Sequence, residues 1–435
     1  MGWQQICRDK LVSAEEAAAL VKSGDRIGVG LFQATPYTLC EAVAARAGEL
    51  KDLRVSHSVS VYPWGPRTGG AFQVESAFLT AVDRPWMDAG RLRYVPVGYF
   101  RAGDLPAGMG PFDVFLTKVS PPDEQGNCSF GPALWFHRTF VANSKLVIVE
   151  VDESLIRTGG DNFIHLSEID RVVEMKIPPP PLPIPPRTQE EVEITEVIAT
   201  LVATELVRDG DTLQMGAGTV SAAVAPYLEQ RKDLGIHTEI ITGGVPRLVE
   251  AGVITGKRKA VNKRKVVGCA FAFIDDEELK IVDGNPAFEL YDFTYTDDLK
   301  VLLQLENFTS INNALMIDLT GQVTAETIGP RVYSGAGGQT VFAIASSYAK
   351  NGRCITVMPS ISTVNGEKKS RVVPTLAPGT AITVPRTFVN YVVTEHGIAT
   401  LGGKSLKGRA QEMIAIADPD FRPELQQEAK RLGLA

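Results

Sequence analysis

The chain has 435 residues, 44% of them hydrophobic and 22% charged, which is enough to bury a sizeable core in two or three domains. Its net charge of -7 argues against a general nucleic-acid-binding protein, because binding to the phosphate backbone needs clustered Lys and Arg. The five cysteines are far apart and form no CxxC pair, and the five histidines show no metal-ligand spacing. We therefore expect no metal site and no disulfide framework.

The N-terminal segment MGWQQICRDKLVSAEEAAALV has no continuous apolar stretch of the kind found in a signal peptide. No apolar run along the chain approaches the ~18 residues that a membrane span requires. These features predict a cytoplasmic protein that does not bind membranes.

Short apolar runs alternate with amphipathic segments of helix length along the whole chain. The runs include LRVSHSVSVY, FDVFLTKVS and KLVIVEV in the first half and CITVMPS in the second. This alternation predicts open α/β domains with largely parallel strands. The proline-rich segment IPPPPLPIPP at 177–186 cannot donate ladder hydrogen bonds and predicts a stiff linker. We therefore predict two domains, one spanning 1–187 and ending in this linker, and one spanning 188–435.

The two halves contain a repeated pattern. SGDRIGVGLFQATPYTLCEAVAARAGELKDLRVSHSVS in the first half matches DGDTLQMGAGTVSAAVAPYLEQRKDLGIHTEIITGG in the second. Each copy reads as strand, glycine turn, helix, Lys-Asp-Leu and strand. Neither glycine turn has the third glycine of the dinucleotide-binding fingerprint, so the repeat gives little support to NAD binding. The alignment pairs Ser58 with Glu239, so only the second half carries a carboxylate at this position.

Glu239 is the unusual residue of the segment KDLGIHTEIITGG. Leu234, Ile236, Ile240 and Ile241 predict one short buried strand, in which a carboxylate is unfavourable unless it is used or paired. His237 alternates with Glu239 on the predicted strand and either orients the acid or is a core histidine. The basic run Lys257 to Lys265 is interpreted as a solvated loop rather than an anion site.

The stretch SGAGGQT at 334–340 has three glycines in four residues. Backbone N–H groups in such a stretch can approach a ligand closely and hold an oxyanion or a phosphate. A plain flexible turn is the alternative interpretation.

Several motifs together resemble the family I CoA-transferases. They are LGIHTE, SINNALMIDLTGQV, SGAGGQ, VSPPDEQGNCSFG, GDNFIHLSEID and YVVTEHGIATLGGKSLKGRA. The similarity is greatest to the acetyl-CoA hydrolase/transferase branch, which includes 4-hydroxybutyrate and butyryl-CoA:acetate CoA-transferases. It covers nearly the whole chain and implies two related open α/β domains of the NagB/RpiA/CoA-transferase-like type.

The resemblance also implies roles for particular residues. The family's catalytic glutamate corresponds to Glu239, whose reference pKa of ~4.3 predicts an ionised carboxylate at neutral pH. The family's glycine loop, which closes over the thioester, corresponds to Gly335, Gly337, Gly338 and Gln339. Gly216 and Gly218 correspond to the glycine turn that lines the same cleft. After the glutamate, many relatives carry Ser-Asp-Gly where this chain has Thr242, Gly243 and Gly244.

The implied activity is an acyl-CoA:carboxylate CoA-transferase that works through a glutamyl-CoA thioester. Coenzyme A and acyl-CoA are then substrates, and we expect no tightly bound cofactor. An acyl-CoA hydrolase that uses the same glutamate, and a non-catalytic module that binds CoA or phosphate, are the alternatives. Acetyl, butyryl and hydroxybutyryl donors, and dicarboxylates such as itaconate or succinate, all stay open. The resemblance further implies a homo-oligomer, a dimer or a tetramer.

Overall fold

The computed structural model describes residues 2–98, 108–180 and 187–435. Most of the predicted proline-rich linker, residues 181–186, lies outside the described residues. The chain divides into two compact units. The first contains the described residues of Met1–Ile184 together with Val282–Asp298 and Val332–Gly337, and the second contains those of Pro185–Ile281 with Leu299–Arg331 and Gly338–Ala435. The predicted domain boundary after residue 187 stays a prediction.

The strands of the described residues are mostly short and are numbered in chain order. They are β1 (Arg26–Val29), β2 (Arg54–His57), β3 (Gln73–Ser76), β4 (Leu92–Tyr94), β5 (Phe112–Val119), β6 (Asn127–Ser129), β7 (Ser144–Val151), β8 (Gly159–Gly160), β9 (Phe163–His165), β10 (Arg171–Glu174), β11 (Thr212–Met215), β12 (Gly235–His237), β13 (Ile240–Thr242), β14 (Val266–Gly268), β15 (Ala270–Ala272), β16 (Phe288–Leu290), β17 (Phe308–Asn313), β18 (Met316–Asp318), β19 (Val323–Thr324), β20 (Thr327–Ile328), β21 (Arg331–Val332), β22 (Arg353–Val357), β23 (Ile361–Val364), β24 (Glu367–Ser370), β25 (Val372–Val373), β26 (Tyr391–Thr394) and β27 (Gly397–Thr400).

The helices are also mostly short. They are α1 (Trp3–Ile6), α2 (Ala14–Ala18), α3 (Tyr37–Ala44), α4 (Trp64–Thr68), α5 (Arg84–Asp88), α6 (His137–Ala142), α7 (Gln189–Leu201), α8 (Val245–Glu250), α9 (Asp276–Val282), α10 (Phe293–Thr296), α11 (Leu299–Leu302), α12 (Gln339–Tyr348), α13 (Leu406–Ala415) and α14 (Arg422–Arg431). In the part of the chain that the structure describes, no helix is long and apolar enough to cross a membrane.

Both units are built on a largely parallel sheet. In the first unit, seven parallel strands lie in the order β10-β7-β5-β1-β2-β3-β4. In the second unit, seven strands lie in the order β27-β26-β22-β17-β11-β12-β14, and β27 is antiparallel to its neighbour. In the first unit, fully buried side chains such as Ile27 and Val55 on the sheet pack with Leu39 and Val43 of α3. This architecture confirms the predicted open α/β fold.

The sequence repeat is a repeat of backbone geometry. Gly24 and Gly210 have positive φ angles of 86° and 83°, a conformation that glycine adopts without strain. The N–H of Gly24 donates to the carbonyl of Lys51 at 2.9 Å, and the N–H of Gly210 donates to that of Lys232 at 2.8 Å. In each unit, this hydrogen bond joins two turns: the one before the first strand of the repeat and the Lys-Asp turn before the second strand of the repeat. Equivalent residues therefore hold equivalent strand pairs together.

The turn after the first strand of each repeat is also the same. The N–H of Gly30 donates to a carbonyl of β5 at 2.8 Å, and the N–H of Gly216 donates to a carbonyl of β17 at 2.9 Å. The hydroxyl of Thr35 then donates to the carbonyl of Gly30 at 3.0 Å, as the hydroxyl of Ser221 does to that of Gly216 at 2.8 Å. In each unit, the first strand of the repeat therefore ends in a braced glycine turn at the carboxyl edge of the sheet.

Candidate active site

Glu239 lies at a break between two strands. The prediction of a single strand through this segment is wrong, because β12 ends at His237 and β13 begins at Ile240. Thr238 makes the break by placing its hydroxyl where a backbone ladder would continue. Its Oγ1 donates to the carbonyl of Met215 at 3.1 Å and accepts from the N–H of that residue at 3.4 Å. The bend frees the residue that follows from the regular in-and-out alternation of a strand.

The backbone of Glu239 is also held by the turn between β14 and β15. Its carbonyl accepts from the N–H of Cys269 at 2.8 Å and from the N–H of Ala270 at 3.3 Å. The thiol of Cys269 donates to the same carbonyl at 2.8 Å. Three donors on one carbonyl oxygen fix the position of the main chain from which the carboxylate extends.

The carboxylate of Glu239 receives a hydrogen bond from the predicted glycine loop. The N–H of Gly338 donates to its Oε2 at 3.1 Å. Gly338 is also the N-cap residue of α12, with φ -86° and ψ -3°. The positive end of a helix macrodipole stabilises a negative charge. The loop therefore supplies both a direct donor and a favourable field to the carboxylate.

Burial nevertheless raises the pKa of Glu239 to about 7, and the hydrogen bond from Gly338 offsets only part of this effect. The side chain is only partly exposed. The expectation that this acid is fully ionised at neutral pH is therefore wrong, since the surroundings place its titration near neutrality. Perturbed carboxylates of this kind are typical of functional sites.

This pKa predicts the pH dependence of any reaction in which the Glu239 carboxylate is the nucleophile. The ionised form should increase as the pH rises through about 7, so kcat/KM should rise over this range and level off above it. The measurement is kcat/KM for a short acyl-CoA across the pH range at constant ionic strength. An acidic limb with a midpoint near the ordinary glutamate value of 4.5 would contradict the prediction.

Gly216 and Gly218 form the turn at the end of β11, as predicted, and both lie against asparagines of β17. A Cβ on Gly216 would lie 2.8 Å from Oδ1 of Asn312, and a Cβ on Gly218 would overlap the side-chain amide of Asn313. Asn312 exchanges two hydrogen bonds with Gln214, at 3.0 and 2.8 Å. The two glycines are therefore required for the asparagines to pack against the turn.

Gln339 connects this turn to the loop. Its Nε2 donates to the carbonyl of Asn313 at 3.0 Å, while the preceding Gly338 binds Glu239. Continuous contacts in the second unit thus bring together Glu239, Gly338, Gln339 and Gly218. These contacts run through Asn313, for which the sequence predicted no definite role. Asn312 and Asn313 are therefore hydrogen-bonding groups that brace the site.

Gly335 and Gly337 belong to the first unit. A Cβ on Gly335 would lie 2.6 Å from the carbonyl oxygen of Ala77, so the loop backbone packs directly on that segment. The N–H of Leu79 donates to the carbonyl of Ser334 at 3.1 Å. Gly337 has a φ of +55°, which favours glycine. Packing explains glycine at position 335, and backbone conformation explains it at position 337. Contact of these glycines with a thioester stays a prediction.

The structure also places His237 and the basic run. His237 is buried at the end of β12, and whether it orients the acid stays a prediction. In the basic run, Lys257 and Arg258 form ion pairs with Asp233 at 2.6 and 3.2 Å. Lys259 is buried and donates to backbone carbonyls at 2.7 and 2.8 Å. Much of the charge in this run is therefore used within the fold.

The comparisons with known proteins agree with these features. Residues 4–181 match the N-terminal domain, and residues 276–429 the C-terminal domain, of acetyl-CoA hydrolase/transferase. The 4-hydroxybutyrate coenzyme A transferase of Clostridium kluyveri is 36% identical over 99% of this chain and 100% of its own length. The succinyl-CoA:cyclohexane-1-carboxylate CoA transferase of Geobacter metallireducens is 34% identical over 99% and 97%.

A solved structure gives the same result for the fold. The crystal structure of RipA from Yersinia pestis superposes with a TM-score of 0.89 at 33% identity and covers 100% of both chains. The family resemblance and the fold class inferred from the motifs are thereby confirmed. The chain belongs to the acetyl-CoA hydrolase/transferase family, and it is a CoA-transferase of the acyl-CoA:carboxylate type.

Proposed function

We propose that this chain transfers CoA between a short acyl-CoA and a free carboxylic acid through a covalent thioester on Glu239. The observation that carries the proposal is the Glu239 carboxylate itself. It lies at a strand break, is bound by the N–H at the start of α12, and has a pKa raised to about 7. A carboxylate whose negative charge is poorly solvated is a better nucleophile than one in water.

In the first step, Oε1 of Glu239 attacks the thioester carbonyl. The carbon–sulfur bond breaks, CoA leaves as the thiolate, and a mixed anhydride forms between the acyl group and the glutamate. The anhydride is reactive at both carbonyls. The hydrogen bond from Gly338 to Oε2 supports Oε1 as the attacking oxygen.

In the second step, the CoA thiolate attacks the side-chain carbonyl carbon of Glu239. The bond from this carbon to Oε1 breaks, the acid is released carrying that oxygen, and a glutamyl-CoA thioester remains. The developing oxyanion is Oε2, to which the N–H of Gly338 already donates. A preformed donor at this position stabilises the tetrahedral transition state without reorganisation. An incoming carboxylate then reverses both steps and leaves as the new acyl-CoA.

A covalent-trapping experiment tests this proposal. Enzyme mixed with butyryl-CoA and no acceptor acid should accumulate the Glu239–CoA thioester, because the second half-reaction has no substrate. Borohydride should reduce the thioester to an alcohol, and peptide mapping should locate the change within KDLGIHTE. Ser58, the aligned residue of the first repeat, should be unmodified. Reduction at another residue would contradict the role of Glu239.

The same experiment distinguishes the hydrolase alternative. A hydrolase would release free acid and free CoA continuously without an acceptor, because water would attack the glutamyl intermediate. A transferase should release about one equivalent of acid per active site and then stop until a carboxylate is added.

A further inference from the structure

Phe273 combines an exposed ring with a strained backbone. It directly follows β15, and 56% of its surface is exposed to solvent. Its φ is +58°, in the left-handed region where a bulky aromatic residue is an outlier and where glycine or asparagine is relaxed. The ring gains little from burial, yet the backbone keeps this conformation. Strained residues of this kind concentrate at ligand-binding and catalytic positions.

The opposite strand is adapted to this conformation. The carbonyl of Phe273 lies so close to Gly243 that any Cβ there would overlap it. The next residue, Gly244, has a φ of +87°, and its N–H donates to Oε1 of the buried Glu278 at 2.6 Å. Gly243, the first residue of the Gly-Gly pair that stands where many relatives carry a polar segment, thus makes room for the backbone of Phe273.

The ladder between β13 and β15 gives the distance from Phe273 to the reactive carboxylate. Ile240 pairs with Ala270, and the strands run parallel to Thr242 and Ala272. Continuing this register places Phe273 four positions beyond the level of Glu239. At about 3.3 Å per residue, the two main-chain positions are roughly 13 Å apart along the strands.

This distance matches a particular part of coenzyme A. The apolar gem-dimethyl group of the pantoate unit lies two amide-linked segments beyond the sulfur, a span of roughly 12 Å when extended with peptide-like bond lengths. A short acyl group reaches far less than this. We infer that Phe273 contacts the pantoate part of the CoA arm when the thioester is at Glu239, an inference that rests on the proposed function. An exposed aromatic face is suited to such an apolar branched group.

The contact has a defined kinetic consequence. The CoA arm is common to every acyl-CoA, so Phe273 should contribute equally to the use of different acyl groups. It should contribute nothing to a thioester that lacks the pantoate unit, and nothing to the KM of the acceptor acid. Binding energy from this remote part of the substrate can be used to favour the transition state at the reacting carbonyl.

The test compares Phe273→Asn with the wild-type enzyme. Asparagine removes the ring and suits the left-handed conformation, so the variant should fold and its Tm should be unchanged or higher. The expected result is a loss of about 10- to 100-fold in kcat/KM for both acetyl-CoA and butyryl-CoA. With the butyryl thioester of N-acetylcysteamine, kcat/KM should equal the wild-type value. Tyr348→Asn, at an aromatic residue that is 72% exposed in the same unit, is the matched control and should change neither value.

Two results would overturn the inference. Equal losses with butyryl-CoA and with the truncated thioester would place Phe273 at the reacting centre. Normal kcat/KM with both acyl-CoAs would make it an ordinary surface residue. Failure of the proposed function has a different signature, since the wild-type enzyme itself would then transfer no CoA.

Discussion

Glu239→Gln should abolish nearly all CoA transfer, with a loss on the order of 10⁴-fold or more in kcat. The amide keeps the size of the side chain and can still accept the hydrogen bond from the N–H of Gly338, so the geometry of the site should persist. An amide oxygen cannot form the acyl anhydride, however, and no glutamyl thioester can follow. The measurement is steady-state transfer together with borohydride trapping, which should detect no adduct.

The variant should also be more stable than the wild type at alkaline pH. The folded-state pKa of about 7 exceeds the ordinary value of 4.5, so the native state binds more protons than the unfolded state between these two values. The stability of the wild type therefore falls as the pH rises through this window, and the penalty is complete above about pH 7. Glutamine carries no such penalty. The gain in free energy of unfolding should be larger at about pH 8 than at about pH 4.

Glu250→Gln is the matched control, because this glutamate is exposed at the end of α8 in the same unit. It should leave transfer and trapping unchanged. A Glu239→Gln variant with normal transfer rates, measured on protein free of wild-type enzyme, would remove this residue from the mechanism.

Much of the scaffold could be predicted from the sequence because it depends on local residue types. Gly24 and Gly210 are in equivalent left-handed turns, and each is followed by the same strand, turn and Lys-Asp segment. Such turns specify which strands pair, and alternating apolar runs specify a parallel sheet. The repeat can therefore be recognised by aligning the two halves of the sequence, without any knowledge of its hydrogen bonds.

The finer features of the site depend on contacts between distant residues. The strand break at Thr238 arises because its hydroxyl binds the backbone of Met215, 23 residues earlier. The apolar run on both sides predicted an unbroken strand, since threonine is common in strands. The raised pKa of Glu239 likewise depends on packing, which no spacing of residues reveals. Nothing in the sequence at Phe273 predicts a left-handed conformation, because that position carries neither glycine nor asparagine.

The glycine loop contains a second change with a large expected effect, at the N–H that binds Glu239. Gly338→Pro removes this donor, and the φ of -86° is close to the range of proline. The N–H of an N-cap residue is not part of the helical hydrogen-bond ladder, so α12 should remain formed. Gly338→Ala keeps the N–H and is the matched control. Gly337 is a poorer choice, because its φ of +55° makes any side chain there strained.

We expect Gly338→Pro to lower kcat/KM for butyryl-CoA by about 10²- to 10³-fold, the usual effect of removing one donor to a developing oxyanion. Because this hydrogen bond lowers the pKa of Glu239, its loss should also move the acidic limb of the pH profile above about 7. Gly338→Ala should keep the wild-type midpoint and most of the activity. The measurement is kcat/KM from about pH 5 to about pH 9, with Tm recorded for each variant. A folded proline variant with a wild-type rate and midpoint would show that the N–H of Gly338 neither lowers the pKa of Glu239 nor stabilises the transition state, which would then have to be stabilised by another donor.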